Sequence, residues 1–136
     1  MILDETSERR LAGVNAALIN VVHRAVKAVP FPVLVVEGVR TKARQAELYA
    51  QGRTKPGEIV TWTLQSKHIE GRAVDLAPLI GGSIDWSDKK KFDVIAAAMF
   101  AAAKELGVKI RWGADWDQDG NPRERGETDS PHFEVV

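Results

Sequence analysis

Of the three histidines in the chain, His68 and His132 lie in polar, glycine-flanked stretches that an ordinary core would not select. His68 belongs to Ser66-Lys67-His68-Ile69-Glu70-Gly71-Arg72-Ala73-Val74-Asp75, where a turn at Gly71 can fold the segment back so that imidazole and Asp75 carboxylate converge. Two imidazoles and one carboxylate, with a fourth position left to water, is the stoichiometry of a catalytic zinc site. Cobalt or manganese suit the same donors, so residue type ranks Zn2+ first without fixing it. A blander reading of these residues is a surface histidine beside an aspartate that caps a turn. His23 sits in a continuous helical stretch between Val22 and Arg24 and is expected to be structural or solvent-facing. With no cysteine in the chain, any catalytic metal has only His, Asp and Glu to use.

A second cluster of oxygen donors lies in Asp115-Trp116-Asp117-Gln118-Asp119-Gly120-Asn121. Acids at positions one, three and five with glycine at six repeat the start of an EF-hand loop, which makes Asp115, Asp117, Asp119 and Asn121 candidate Ca2+ ligands. The pattern then breaks, because Gly126 stands at position twelve where a bidentate glutamate belongs. A plain acidic turn is the competing reading. Trp62, Trp86, Trp112 and Trp116 are expected to pack, although Trp112 and Trp116 flank this loop and can line a cleft.

Helices and strands must position these groups. Leu11, Val14, Leu18, Val21, Val22 and Ala25 recur at helical spacing up to Pro30 and Pro32. Val33 to Val36 reads as a buried strand delivering Val39 and Arg40 at its end, and Thr41 is a plausible cap for a helix carrying Gln45, Leu48 and Tyr49, stopped by Gly52. Ile59 to Leu64 is β-prone within a long loop, Ala73 to Leu76 follows the Gly71 turn as a strand, and Gly81-Gly82 turns the chain again. Ser87 can cap a long helix from about Asp88 to Leu106, closed by Gly107. Lys109 to Trp112 and His132 to Val136 are the last strand candidates. Three helices interleaved irregularly with short strands predict an α+β fold around a small, mainly antiparallel sheet.

Composition bounds the rest. At 136 residues and 44% hydrophobic content, residues 1–136 are expected to form a single globular domain without a separate wall-binding module. Nineteen basic residues balance nineteen acidic ones, so no global field favours nucleic acid or anionic lipid, and Lys89-Lys90-Lys91 reads as a solvated helix start. The beginning Met1-Ile2-Leu3-Asp4-Glu5 is acidic where a signal peptide needs a basic start, and no apolar run reaches membrane-spanning length. Synthesis in the cytoplasm, no membrane insertion and a monomeric state are the expectations.

Ser66-x-His68-x-x-Gly71-x-Ala73-x-Asp75, followed by Asp129-x-x-His132, resembles the VanY-type zinc peptidases. Within that group the chain is most similar to phage endolysins that cleave the L-alanyl-D-glutamate bond of peptidoglycan. The likeness extends over Gly38-Val39-Arg40-Thr41, the Gln45 and Tyr49 helix, Gly113-Ala114-Asp115-Trp116 and His132-Phe133-Glu134. It implies a fold like that of the DD-peptidases and hedgehog signalling domains, with zinc on His68, Asp75 and His132. Asp129 would act as general base toward a metal-activated water, and Arg40 would stabilise the oxyanion. Read alone, Arg40 pairs equally well with Glu37 or Glu47, and Asp129 with its own backbone in a turn. Glu134 is either a partner of His68 or His132, or strand decoration.

Related carboxypeptidases usually carry Glu at the base position, so Asp129 favours an endopeptidase acting on the stem peptide. The alternatives are a D-alanyl-D-alanine carboxypeptidase or dipeptidase, and a non-catalytic binding module of the same zinc fold. The resemblance further implies an enzyme made in the host cytoplasm that acts in the periplasm once the membrane is permeabilised. Calcium regulation through the acidic loop occurs in some relatives and would couple ion concentration to assembly of the site.

Overall fold

The computed structural model describes residues 3–40, 42–54, 56–57, 71–115 and 129–136. Among the described residues four helices and five strands run in the order α1 Glu5–Arg10, α2 Ala16–Ala28, β1 Val33–Glu37, α3 Lys42–Ala50, β2 Ala73–Ile80, β3 Ser83–Ile84, α4 Lys89–Leu106, β4 Ile110–Trp112 and β5 His132–Val135. The α+β class read from the sequence holds, with short α1 added ahead of the three expected helices. The apolar spacing that begins at Leu11 does not make one helix. Gly13 takes a left-handed φ of 83°, and Asn15 caps a fresh start by accepting from the Leu18 amide at 3.1 Å. Leu11 and Val14 are still buried, but from the turn that joins the two helices.

The long helix α4 is capped by Asp88, not Ser87 as expected. The Asp88 carboxylate accepts from the Lys91 amide at 3.2 Å, while the Ser87 hydroxyl donates to Asp85 at 2.9 Å and so is committed elsewhere. The Thr41 cap and the Ile59 to Leu64 strand lie outside the described residues. The strand begun at Ala73 runs on to Ile80, beyond the expected Leu76, because Pro32, β1 and β3 continue to pair with it.

The sheet has the order β1-β2-β5-β4, with β3 attached to β2, and every pairing is antiparallel. Alternation along the strands sorts its two faces. Val74, Leu76, Ile110, Trp112, Phe133 and Val135 join Leu18, Val21 and Val22 of α2 and Ile95 and Met99 of α4 in one apolar core. The residues between them, Asp75, Arg111, His132 and Glu134, belong to the opposite face.

β1 lies at an edge, and α1 occupies the polar groups of its Val35. The Val35 amide donates to Ser7 Oγ at 2.9 Å, and the Val35 carbonyl accepts from Arg10 Nη1 at 2.9 Å. That matters because the ladder is irregular there. Val35 pairs with Leu76, but Glu37 pairs with Asp75, so a bulge accommodates Val36. A bulge bends a strand and re-aims its side chains, which here brings Glu37 onto the polar face.

Candidate active site on the polar face of the sheet

Strand register assembles the site. Glu37 of β1, Asp75 of β2 and His132 of β5 are successive cross-strand partners, forming one row of side chains. His132 Nδ1 lies 3.3 Å from Asp75 Oδ1, and His132 Nε2 lies 2.8 Å from Glu134 Oε1, two residues along on the same face. His132 and Glu134 are buried, whereas the Asp75 side chain keeps 18% of its surface.

Burial alone would drive the His132 ring toward its neutral form. Hydrogen bonds to Asp75 and Glu134, and the charges of Asp75 and Asp129, outweigh that effect and push its pKa up to about 10. Negative charge is therefore concentrated around one imidazole. That is the environment a bound cation would satisfy.

Asp129 is delivered by a tight turn. The His132 amide donates to the Asp129 carbonyl at 3.2 Å, the Trp112 indole to Ser130 O at 2.7 Å, and the Leu76 amide to Pro131 O at 2.9 Å. The turn is thus bolted to β4 and β2 before it enters β5. Gly113 makes this possible, since a Cβ there would sit 2.3 Å from Asp129 O and 3.1 Å from His132 Cβ. Trp112 stacks on Phe133 with centroids 6.3 Å apart, and it belongs to the core rather than to a cleft.

Arg40 closes the other end of the row. Its Nε and Nη2 donate to the two Glu37 carboxylate oxygens at 2.9 and 2.6 Å, and Nη1 donates to Gln45 Oε1 at 2.6 Å. Nη2 also lies 3.9 Å from Asp75 Oδ2. The bland pairing with Glu37 is therefore present, yet the same pairing fixes the guanidinium beside Asp75. Gln45, fully buried on α3, was not recognised as part of this arrangement from sequence. Nothing in the sequence marks it, since it stands on α3 between Arg44 and Glu47 as one more polar residue.

The donor chemistry fits a zinc ion. Bond lengths of about 2.0–2.2 Å at tetrahedral angles put two ligand atoms about 3.4 Å apart, close to the observed 3.3 Å between His132 Nδ1 and Asp75 Oδ1. Among the described residues no group of three His, Asp or Glu side chains forms a metal site. His68, the expected third ligand, lies outside the described residues, as do Asp117, Asp119 and Asn121 of the acidic loop. Asp115 is described, half-buried and bonded through its amide to Trp112 O at 3.1 Å. His23, as expected, is away from this site, on α2 with Nε2 2.9 Å from Glu8 Oε1.

An α+β domain whose sheet presents an imidazole, a facing carboxylate and a clamped guanidinium offers the kind of groups that a metallopeptidase uses. Comparison with known proteins narrows this class. The family described as phage L-alanyl-D-glutamate peptidase matches residues 1–136, and the chain belongs to that family. It is 39% identical over 135 residues to the L-alanyl-D-glutamate peptidase of Escherichia phage T5, covering 97% of this chain and 96% of that protein. It is 36% identical over 113 residues to the peptidoglycan L-alanyl-D-glutamate endopeptidase CwlK of Bacillus subtilis (strain 168), covering 76% of this chain and 60% of that one. The crystal structure of the Serratia marcescens L-Ala D-Glu endopeptidase ChiX superposes with a TM-score of 0.80 at 31% identity, covering 100% of this chain and 90% of that one.

Proposed function

We propose that this chain is a zinc-dependent peptidoglycan endopeptidase that hydrolyses the L-alanyl-D-glutamate bond of the stem peptide. The observation that carries this reading is the His132 and Asp75 pair, facing at 3.3 Å across β2 and β5 with the charge of Asp129 bearing on the same ring. His68, Asp75 and His132 would hold the metal. When bound, zinc supplies a Lewis acid that polarises the scissile carbonyl and lets water ionise near neutral pH.

The protein's own groups supply the rest. Asp129 takes the proton of the attacking water and returns it to the leaving amine, so one carboxylate serves both halves of the reaction. Arg40, held rigid by Glu37 and Gln45, contributes a fixed positive charge against the developing oxyanion, which costs no reorganisation during reaction. Glu37 sets the angle of that guanidinium through two parallel bonds.

The substrate in this reading is the bacterial cell wall. In this reading the enzyme is made in the host cytoplasm and meets the wall after the membrane is permeabilised. The acidic loop beginning at Asp115 is proposed as a calcium site, because acids alternate at Asp115, Asp117 and Asp119 and the same stretch of chain leads on to Asp129. Calorimetric titration with no heat at millimolar calcium would remove that part alone.

Mass spectrometry of fragments released from purified peptidoglycan, with and without a chelator, tests the central claim. The expected products carry a new D-glutamate amino terminus and vanish with chelator. Release of terminal D-alanine would instead identify a carboxypeptidase or dipeptidase, and no release would favour a binding module.

A further inference from the structure

We propose that Glu134 is a positioning residue that fixes which ring nitrogen of His132 is offered to the metal, an inference that rests on the zinc site proposed above. A neutral imidazole carries one N–H and one lone pair, and only the lone pair can coordinate. Glu134 follows His132 by two residues on β5, so strand periodicity places both on one face. Its carboxylate oxygen lies 2.8 Å from Nε2, while Nδ1 points at Asp75. Both contacts are to carboxylates, which accept, but Asp75 would give its oxygen to the metal while Glu134, on the shorter contact, would remain to accept from the ring and so keep the proton on Nε2. Nδ1 is thereby left as the coordinating atom.

Burial gives this contact its force. Glu134 is only 3% exposed, and an ionised carboxylate in such a place is costly unless bonded and charge-compensated. Its cross-strand neighbours are Ala73, which is too small to compete for it, and Arg111, which is of opposite charge. One aspartate and two neutral histidines around a doubly charged ion leave a net positive centre. Glu134 adds the missing negative charge through the ring.

The experiment compares zinc affinity, by competition with a chelator, in the full chain and in Glu134→Leu and Glu134→Gln. Groups that orient a ligating histidine typically contribute roughly 10–100-fold in metal affinity. Glu134→Leu is expected to lose that much, with part restored in Glu134→Gln, whose amide oxygen still accepts from Nε2. In the zinc-loaded wild type, NMR should show a slowly exchanging Nε2 proton on His132, and in Glu134→Leu that proton should exchange fast. A folded Glu134→Leu with wild-type affinity and an unchanged Nε2 proton would overturn the proposal. Should that variant fail to fold, Glu134→Gln decides alone: several-fold weaker zinc binding supports the role, and unchanged binding overturns it. A wild type that binds no zinc would overturn the site reading itself, not the role of Glu134 within it.

Discussion

Glu37 stands opposite Asp75 across β1 and β2, although one residue separates Glu37 from Val35 and none separates Asp75 from Leu76. The bulge at Val36 absorbs the difference. Without it, Val36 would face Asp75 and Glu37 would turn toward the core side. The buried amide and carbonyl of Val35 beside this break are taken by Ser7 and Arg10, so α1 stabilises the irregularity that the site requires. Fold and site are coupled at this one position.

Removing the Glu37 carboxylate should therefore be costly. Arg40 is 9% exposed and, among the described residues, would keep only Gln45 and the more distant Asp75. Glu37→Ala is expected to lose about 2–3 kcal/mol in urea unfolding, in line with charged hydrogen bonds to a buried partner. The double variant Glu37→Ala with Arg40→Met should lose less than the sum of the singles, by about 1 kcal/mol or more. Strict additivity would mean that the pair contributes nothing specific.

Gly113→Ala tests the packing of the Asp129 turn. An added Cβ meets backbone, the carbonyl of Asp129 at 2.3 Å, which cannot swing aside like a flexible side chain. A loss of about 1–3 kcal/mol is expected from overpacking, together with a fall in peptidase activity as Asp129 and His132 shift. Wild-type melting and activity would show that the turn has more room than its geometry indicates.

How much of this was legible in advance depends on what each feature requires. His132 stands out because the chain has only three histidines and this one follows a polar turn, and Asp75 because it comes after His68 across the Gly71 turn. The bulge at Val36 could not, since register is a property of two strands and the apolar run from Val33 to Val36 reads as regular when taken alone. The division between α1 and α2 was written locally in Gly13 and Asn15, yet continuous apolar spacing from Leu11 to Ala25 masked it. Ser87 and Asp88 are both good caps by type. Only the bond from Ser87 to Asp85 decides between them. Gln45 lies fully buried because Arg40 needs an acceptor, a demand visible only once the two meet.

The cap of α1 makes a pH-dependent contribution. Asp4 accepts from the Ser7 amide at 2.8 Å, and this bond and the Ser7 hydroxyl, helped by the weaker effect of the Arg10 and Arg9 charges, hold its pKa below the ordinary aspartate value against the opposing effect of burial. A depressed folded pKa means that the stabilisation is complete above about pH 4, the unfolded value, and is lost as pH falls through the folded one. Asp4→Ala should cost about 1 kcal/mol at neutral pH as a lost cap on an exposed residue. Asp4→Asn keeps a capping oxygen without the charge, so its urea midpoint should lie slightly below wild type at pH 7, with the gap closing as the pH falls below the ordinary aspartate range. A gap that does not change with pH would show that the charge of Asp4 plays no part.

Asp129→Ala tests the proposed base apart from the proposed metal site. Asp129 precedes β5 and reaches the His132 ring through its charge, whereas the Asp75 contact to Nδ1 and the Glu134 contact to Nε2 do not pass through it. Its removal should leave zinc affinity within a few-fold of wild type. Catalysis should fall about 10²–10⁴-fold, the usual contribution of a positioned acid or base. Asp129→Glu retains the carboxylate on a longer arm in a turn bolted by Ser130 and Pro131, and partial activity is expected there. Lysis of purified walls at the wild-type rate by Asp129→Ala would remove Asp129 from the mechanism, and a parallel collapse of zinc binding would reassign it from proton carrier to part of the metal site.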